Sequence, residues 1–374
     1  LETNTQTSKT VFFENLDGLR AIAAISVIFY HMSLWYAFPS DQIYIYLKQL
    51  FTFGRVGGNL GVIFFFVLSG FLITYLLLLE QENHSKINVP KFYLRRVLRI
   101  WPLYYLTIFI GFAIYPLFVW VGGGDYIEKG NLFLYLIFGV NFDHIYLGGS
   151  KNGILGVHWS VAIEEQFYLI WPLLFLFFAK SRYFNFILLA LVIGSELFTD
   201  FADVWEVKYY HLFSNIKYLA FGAFVSVICF NKKTKVIDSL SRIPKLISFL
   251  IYLISMTLLF TQVYTTKLFP DFKFVFNLIA MLFFGYVLAE QNFSNNSFFK
   301  VGKFSLLGWL GRISYGLYLT HMIAIYIVIA AFPKNETFLF PKFILTIAIT
   351  VLLSYLSHRY YESFFIRLKS KFST

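Results

Sequence analysis

The sequence predicts an all-α, polytopic transmembrane bundle of about ten spanning helices with both termini in the cytoplasm. Three observations carry this expectation. Of the 374 residues, 58% are hydrophobic and 14% are charged, where a soluble domain has roughly 45–50% and about 25%. Apolar runs long enough to cross a bilayer recur along the whole chain. Lys and Arg collect in the short segments between those runs, as the positive-inside rule expects. Soluble globular, disordered and collagen-like classes are excluded on composition. A net charge of +11 would suggest nucleic acid in a soluble protein. Here no basic stripe interleaves with aromatics, so no nucleic-acid partner is expected. The single cysteine, Cys229, leaves no internal disulfide and no Cys-rich metal site, and reads as a small apolar helix residue.

Taken in order, the runs lie near 17–37, 61–79, 100–120, 131–147, 160–179, 184–199, 213–230, 246–264, 273–289, 308–331 and 343–361. The first carries Asp17, Arg20 and His31 and lacks a small-residue cleavage site, so it reads as a retained helix and not as a cleaved signal. The 131–147 run is broken by Asn141, Asp143 and His144 and followed by Gly148 and Gly149. Loop charge decides its status. Lys86, Lys91, Arg95, Arg96 and Arg99 follow the second run, Lys180 and Arg182 form a turn, and Lys232, Lys233, Lys235, Arg242 and Lys245 lie between two later runs. Lys300, Lys303 and Arg312 form another basic segment, and the tail holds Arg359, Arg367, Lys369 and Lys371. Asp200, Asp203 and Glu206 make one loop acidic. If 131–147 does not span, every basic segment falls on the cytoplasmic side. The 121–158 segment then becomes an extracytoplasmic or re-entrant element. The expected organisation is a cytoplasmic tail over 1–12, a membrane domain over 13–366 and a basic tail over 367–374. Glycines cluster at 54–61, 122–124 and 148–156, in loops expected to face outward and shape a ligand site.

Ionisable residues inside a span are costly and point to function. In LDGLRAIAAISVIFYHM, Arg20 and His31 are eleven positions apart, within ~20° of three full turns and so on one helix face about 16 Å apart. Asp17 lies one turn before Arg20 on that face. The competing readings are a hydrogen-bonded structural His31 and an Arg20 that snorkels to headgroups. In KFYLRRVLRIWPLYYL, Arg96 and Arg99 are one turn apart at the cytoplasmic mouth of the third helix. A guanidinium fork suits phosphate, although positive-inside anchors have the same spacing. In GVHWSVAIEEQFYLIWP, Glu164 and Glu165 begin a span beside Trp159, Tyr168 and Trp171, read as interfacial aromatics. A carboxylate there could orient a histidine or take its charge, or merely favour a solvated helix start. His321 lies mid-span, with packing and catalysis equally open. His158 reads as a solvated loop histidine, and His84, His144, His211 and His358 receive no role. No HExxH, GxSxG or Walker pattern occurs, and no metal-ligand cluster is seen.

These segments resemble acyltransferase family 3, the bacterial integral-membrane O-acyltransferases. Arg20 and His31 match the first-helix motif of a basic residue, ten intervening positions and a histidine. GVIFFFVLSGFLIT is similar to the Gly- and Phe-rich second helix, and Arg96 with Arg99 resembles the Arg-x-x-Arg segment. Trp159, Ser160, Glu164 and Gln166 match the Trp-Ser…Glu…Gln-Phe-Tyr signature, and ISYGLYLTH resembles the late-helix motif. The resemblance runs from about residue 12 to 368. The closing Glu-x-Pro of the family is here Glu362, Ser363 and Phe364, so that position receives no role. Some relatives carry a C-terminal SGNH-type esterase domain, which this sequence does not include.

The resemblance implies transfer of an acyl group, usually acetyl, from cytoplasmic acyl-CoA to a sugar hydroxyl. The acceptor would be lipopolysaccharide, peptidoglycan, exopolysaccharide or a secreted small molecule. It implies a multi-pass inner-membrane enzyme with acetyl-CoA as donor, no metal, and membrane lipids as its surroundings. His31 would be general base or transient acyl carrier, and Glu164 would hold its tautomer or accept its charge. Arg20, Arg96 and Arg99 would hold the donor. The rival from another class is a transporter or flippase for a glycan or lipid-linked precursor, which intramembrane Arg, His and Glu also suit. Against it, no paired broken segments appear in two related halves. A sensor or structural assembly partner is the third reading.

Overall fold

The computed structural model describes residues 13–36, 42–268, 273–332 and 339–370, with side chains left out of account at 42–55, 263–268 and 369–370. The expected tail over 1–12 lies outside the described residues, and helix continues through the expected boundary at 367 to Ser370.

Ten helices among the described residues are long and apolar enough to cross a membrane. They are α1 (Glu14–Trp35), α2 (Gln42–His84, apolar over Val56–His84), α3 (Val89–Val121), α4 (His158–Phe178) and α5 (Phe184–Phe201). The others are α6 (Leu212–Asn231), α7 (Lys245–Leu268), α8 (Lys273–Phe293), α9 (Ser314–Ala331) and α10 (Leu339–Leu368). The expected count of ten is therefore met. The 131–147 run does not span. It breaks into short helices over Leu132–Leu136 and Val140–Phe142 and a π-turn over Asp143–Leu147. Polar groups scattered through that run explain the break, because each needs a partner that lipid cannot supply. Those partners come from the bundle. The Gln166 amide on α4 donates to Phe138 O and Asn141 Oδ1, both at 2.8 Å. Tyr104 OH on α3 donates to Tyr135 O at 2.8 Å.

Local chemistry sets the helix ends. Glu14 and Asp17 occupy the first turn of α1, where negative charge complements the helix dipole. The Asn88 side chain caps α3 by accepting from Lys91 N at 3.0 Å, with Pro90 in the first turn. α3 passes Pro102 and then loosens into a π-turn over Ile110–Ile114. The run expected near 308–331 is split, with a short helix over Ser305–Arg312 and then α9.

Lipid offers no hydrophobic drive for helix association, so close backbone contact at small residues holds such bundles. α2 and α6 meet in this way. A Cβ on Gly70 would lie 1.9 Å from Leu219 O, and one on Gly222 would lie 1.9 Å from Val67 O. On α6, Lys217 is 2% exposed and pairs with Glu196 of α5, itself 6% exposed. Lys217 Nζ also donates to Thr199 Oγ1 at 3.2 Å, and Asn277 Nδ2 donates to Glu196 Oε1 at 2.8 Å. This charged network ties α5, α6 and α8 together inside the bundle. Asn15 joins the start of α1 to the end of α8 by donating to Gln291 O at 2.8 Å. The arrangement leaves α1 sandwiched among α2, α9 and the 305–312 helix, with its polar stripe turned inward.

Candidate active site

Two cavities meet along the polar stripe of α1. The first, about 110 Å³, is lined by Arg20, Arg96, Arg99, Glu164, Tyr168 and Ser69 among others. The second, about 330 Å³, is lined by His31, His144, Asn59 and a group of aromatic side chains. Val62 and Tyr318 line both, so these two side chains form the partition. The cation and the imidazole that share a face of α1 thus serve neighbouring chambers.

In the first cavity, Arg20 Nη1 bonds Asp17 Oδ1 at 3.0 Å. This is the one-turn pair expected from the α1 spacing. Arg96 lies over the rings of Phe92 and Tyr168, at 5.6 and 5.7 Å to the centroids, and its buried Nε has no hydrogen-bond partner. Arg99 is exposed at the mouth. Opposite them, Glu164 accepts from Ser69 Oγ at 3.0 Å and from Tyr168 OH at 3.1 Å. Three guanidiniums and one carboxylate face a single space. That charge balance suits a polyanion with a polar, amide-bearing arm.

The second cavity is organised by a histidine pair. His321 Nδ1 lies 2.6 Å from Tyr318 O, and its Nε2 lies 3.1 Å from His31 Nδ1. His31 Nδ1 also lies 3.0 Å from Val27 O. A carbonyl can only accept, so His321 carries its proton on Nδ1 and presents Nε2 as acceptor. His31 must then carry its proton on Nδ1, shared between Val27 O and His321 Nε2. This assignment, made from the hydrogen-bond network, leaves the His31 Nε2 lone pair uncommitted. A second-residue partner that selects the tautomer is how imidazole bases are set up. Tyr318 OH lies 2.6 Å from Ser160 Oγ and 3.2 Å from Val157 O, which fixes the partition.

The structure brings Arg20, Arg96, Arg99 and Glu164 together and places His31 beyond the partition. Glu164 and His31, expected to act together, do not bond each other. Glu164 bonds Ser69 and Tyr168 in the other cavity, and the partner of His31 is His321. The helix period placed Glu164 near a span start but could not say which neighbour its face would meet. The solvated helix start also fails for Glu165, which accepts from Trp101 Nε1 at 3.0 Å. His158 is not a solvated loop histidine. It is 0% exposed and bonds Thr107 Oγ1 through Nε2 at 2.8 Å. Trp159, Tyr168 and Trp171 are buried inside the protein. His144, given no role from sequence, lines the second cavity. Its signal was present in the break of the 131–147 run, where a non-spanning segment anchored to the bundle by a few buried residues delivers side chains to a site.

The chain is similar to known proteins over most of its length. The sequence model of the acyltransferase domain matches residues 13–359. A peptidoglycan O-acetyltransferase of Listeria monocytogenes is 28% identical over 377 residues, covering 94% of this chain and 55% of the relative. A Bacillus subtilis protein provisionally named as a peptidoglycan O-acetyltransferase is 27% identical, with 94% and 54% covered. A Staphylococcus aureus protein provisionally named as an O-acetyltransferase is 28% identical, with 96% and 58% covered. The chain therefore spans slightly over half the length of the curated relatives it matches. No solved structure gives a significant match. With a family match across nearly the whole chain and the arginines and histidine of its motifs gathered at one pair of cavities, the protein belongs to the membrane acyltransferase family 3.

Proposed function

We propose that the protein transfers an acyl group, in first instance acetyl, from acyl-CoA to a hydroxyl of a cell-envelope glycan. The observation that carries this reading is the pair of cavities sharing Val62 and Tyr318, one arginine-lined and one holding an imidazole with a free Nε2. In this reading the donor enters from the cytoplasm. Arg20 and Arg96 lie at the ends of α1 and α3 that the positive-inside rule assigns to that side. Arg20, Arg96 and Arg99 hold the phosphates of the donor, and Glu164 accepts from the pantetheine amides. The thioester then reaches the partition at Tyr318.

On the other side, His31 Nε2 takes the proton of the acceptor hydroxyl as its oxygen attacks the thioester carbonyl. The C–O bond forms and the C–S bond breaks. The imidazolium returns the proton to the departing thiolate, giving the ester and free CoA thiol. His321 stabilises the imidazolium through its Nε2 acceptor. Peptidoglycan is the first acceptor to test, because two relatives carry it in their names.

The test incubates purified protein with radiolabelled acetyl-CoA, with and without extracted peptidoglycan. Label appearing in the glycan supports the reading. Label held on the protein without acceptor, and lost in His31→Ala, would make His31 an acyl carrier and not a base. No turnover of acetyl-CoA under either condition would leave the transporter reading in its place.

A further inference from the structure

The second cavity holds more than the histidine pair. Trp205 and Tyr209 stack with centroids 5.2 Å apart and planes 10° from parallel. Trp159 meets Tyr209 at 4.9 Å and Tyr210 at 5.2 Å. The His144 imidazole stacks on Tyr210 at 4.6 Å and 17°. All five line the cavity opposite His31. Trp159 is 7% exposed and Tyr209 and Tyr210 pack against the core, but core packing does not account for Trp205, which is 57% exposed beside a space of about 330 Å³.

His144 is held for a partner it lacks. Its Nε2 is buried and makes no hydrogen bond. Burial brings its pKa down to about 4, so the ring is neutral near pH 7 and can donate or accept through that nitrogen. The segment that carries it is built to aim it. After the π-turn at Asp143–Leu147 the chain reverses through Gly148 and Gly149, at φ +82° and +65°. A Cβ on Gly149 would lie 2.3 Å from His144 Nδ1. Only glycine allows both this backbone and the ring position.

The charge of the lining is as informative as its shape. Among the described residues that line this cavity there is no Asp, Glu, Lys or Arg. The polar groups are neutral: His31, His144, Asn59 and tyrosines. A carboxylate or phosphate placed here would lose its hydration with no countercharge. Flat apolar faces with a few directed polar groups are what a neutral ring bearing hydroxyls needs.

We infer that this wall is a saccharide subsite. It binds an uncharged pyranose by stacking on Trp205 and Trp159, with His144 Nε2 on one ring hydroxyl, so that another hydroxyl faces His31 Nε2. The inference rests on the transferase reading for the purpose of the site, and adds where the acceptor sits and which acceptors are refused. Acidic sugars enter poorly at this subsite, and a glycan carrying charge must present a neutral ring edge to it.

The experiment uses the purified protein in lipid nanodiscs with His31→Ala to suppress turnover. Chitotetraose, an uncharged oligomer, and an oligogalacturonate of equal length are titrated by calorimetry. Chitotetraose is expected to bind, and the acidic oligomer to bind at least about tenfold more weakly, a difference of ~1.4 kcal/mol. Adding Trp205→Ala or His144→Ala is expected to weaken chitotetraose about tenfold, again ~1.4 kcal/mol, with His144→Asn recovering part of the loss. Thermal melting of each variant verifies folding, and Trp205→Phe supplies a milder change at the same position. Absence of saccharide binding, equal affinity for the acidic oligomer, or unchanged affinity in folded Trp205→Ala and His144→Ala overturns the inference. Acetyl-CoA turnover by protein with His31 intact reports separately on the transferase reading. Turnover without saccharide binding defeats the subsite alone, whereas binding without turnover defeats the transferase alone.

Discussion

His31 Nδ1 lies 3.1 Å from His321 Nε2, joining two histidines 290 positions apart in the chain. The bond turns a pair of intramembrane imidazoles into one device: the carbonyl of Tyr318 sets the tautomer of His321, and His321 together with Val27 O sets that of His31. The following outcomes are expected from this and from the surrounding contacts.

His31→Ala is expected to lower acetyl transfer by about 10²–10⁴-fold, the usual contribution of a positioned base. His31→Gln is expected to be nearly as inactive, because an amide keeps hydrogen bonds but takes no proton. His321→Ala leaves Nε2 of His31 in place and Val27 O still accepting from Nδ1, and removes the acceptor that stabilises the imidazolium, so kcat falls less, with little change in KM for donor. Steady-state rates with purified variants check the order. Equal loss in His321→Ala and His31→Ala would place the chemistry on both rings.

Arg20→Ala and Arg96→Ala are expected to raise KM for acetyl-CoA about tenfold or more, since charge-assisted bonds contribute ~1.5–3 kcal/mol each. Arg99, more exposed at the mouth, is expected to give a smaller rise that fades with added salt. Unchanged KM in well-expressed Arg96→Ala would reduce this residue to a topological anchor.

Sidedness is testable through the cysteine count. Cys229 is buried and is the sole cysteine, so background labelling is low. Asp203→Cys is expected to react with an impermeant thiol reagent added outside intact cells, and Asp238→Cys only after permeabilisation. The reverse pattern inverts the proposed orientation.

Lys217→Met leaves Glu196 buried against Asn277 without its cation, which is expected to cost about 3–5 kcal/mol. Adding Glu196→Gln removes the stranded charge and is expected to return most of that stability. Melting temperatures in one detergent give both values. A double variant no better than Lys217→Met would mean the pair acts through packing and not charge.

Gly222→Ala puts a methyl group 1.9 Å from Val67 O, so α2 and α6 must separate. Such overpacking typically costs ~1–3 kcal/mol. A lowered melting temperature with proportionate loss of activity is expected, because α2 supplies Val62 to the partition between the cavities.

Hydropathy, loop charge and helical period are properties of short stretches, and what they foretold was of that kind. The candidate spans, the polar break in 131–147 and the common face of Arg20 and His31 follow from residues within about twenty positions of one another, and the charge of the loops along the chain fixes the count at ten. Arg20, Arg96 and Arg99 were named from local spacing, and the bundle gathers them at one cavity. The choice of neighbour for each helix face was not local. Glu164 meets Ser69 because α4 packs on α2 with that face inward, whereas its bond to Tyr168 is a local one-turn pair, and His31 faces His321 because α9 packs on α1. His158 is dry because Thr107 of α3 receives it, and His144 reaches the second cavity because Gln166 and Tyr104 tie its broken segment to the bundle. These pairings depend on which backbones can approach, as at Gly70 and Gly222, and the depth of such a contact is set by two helices together and is written in neither alone.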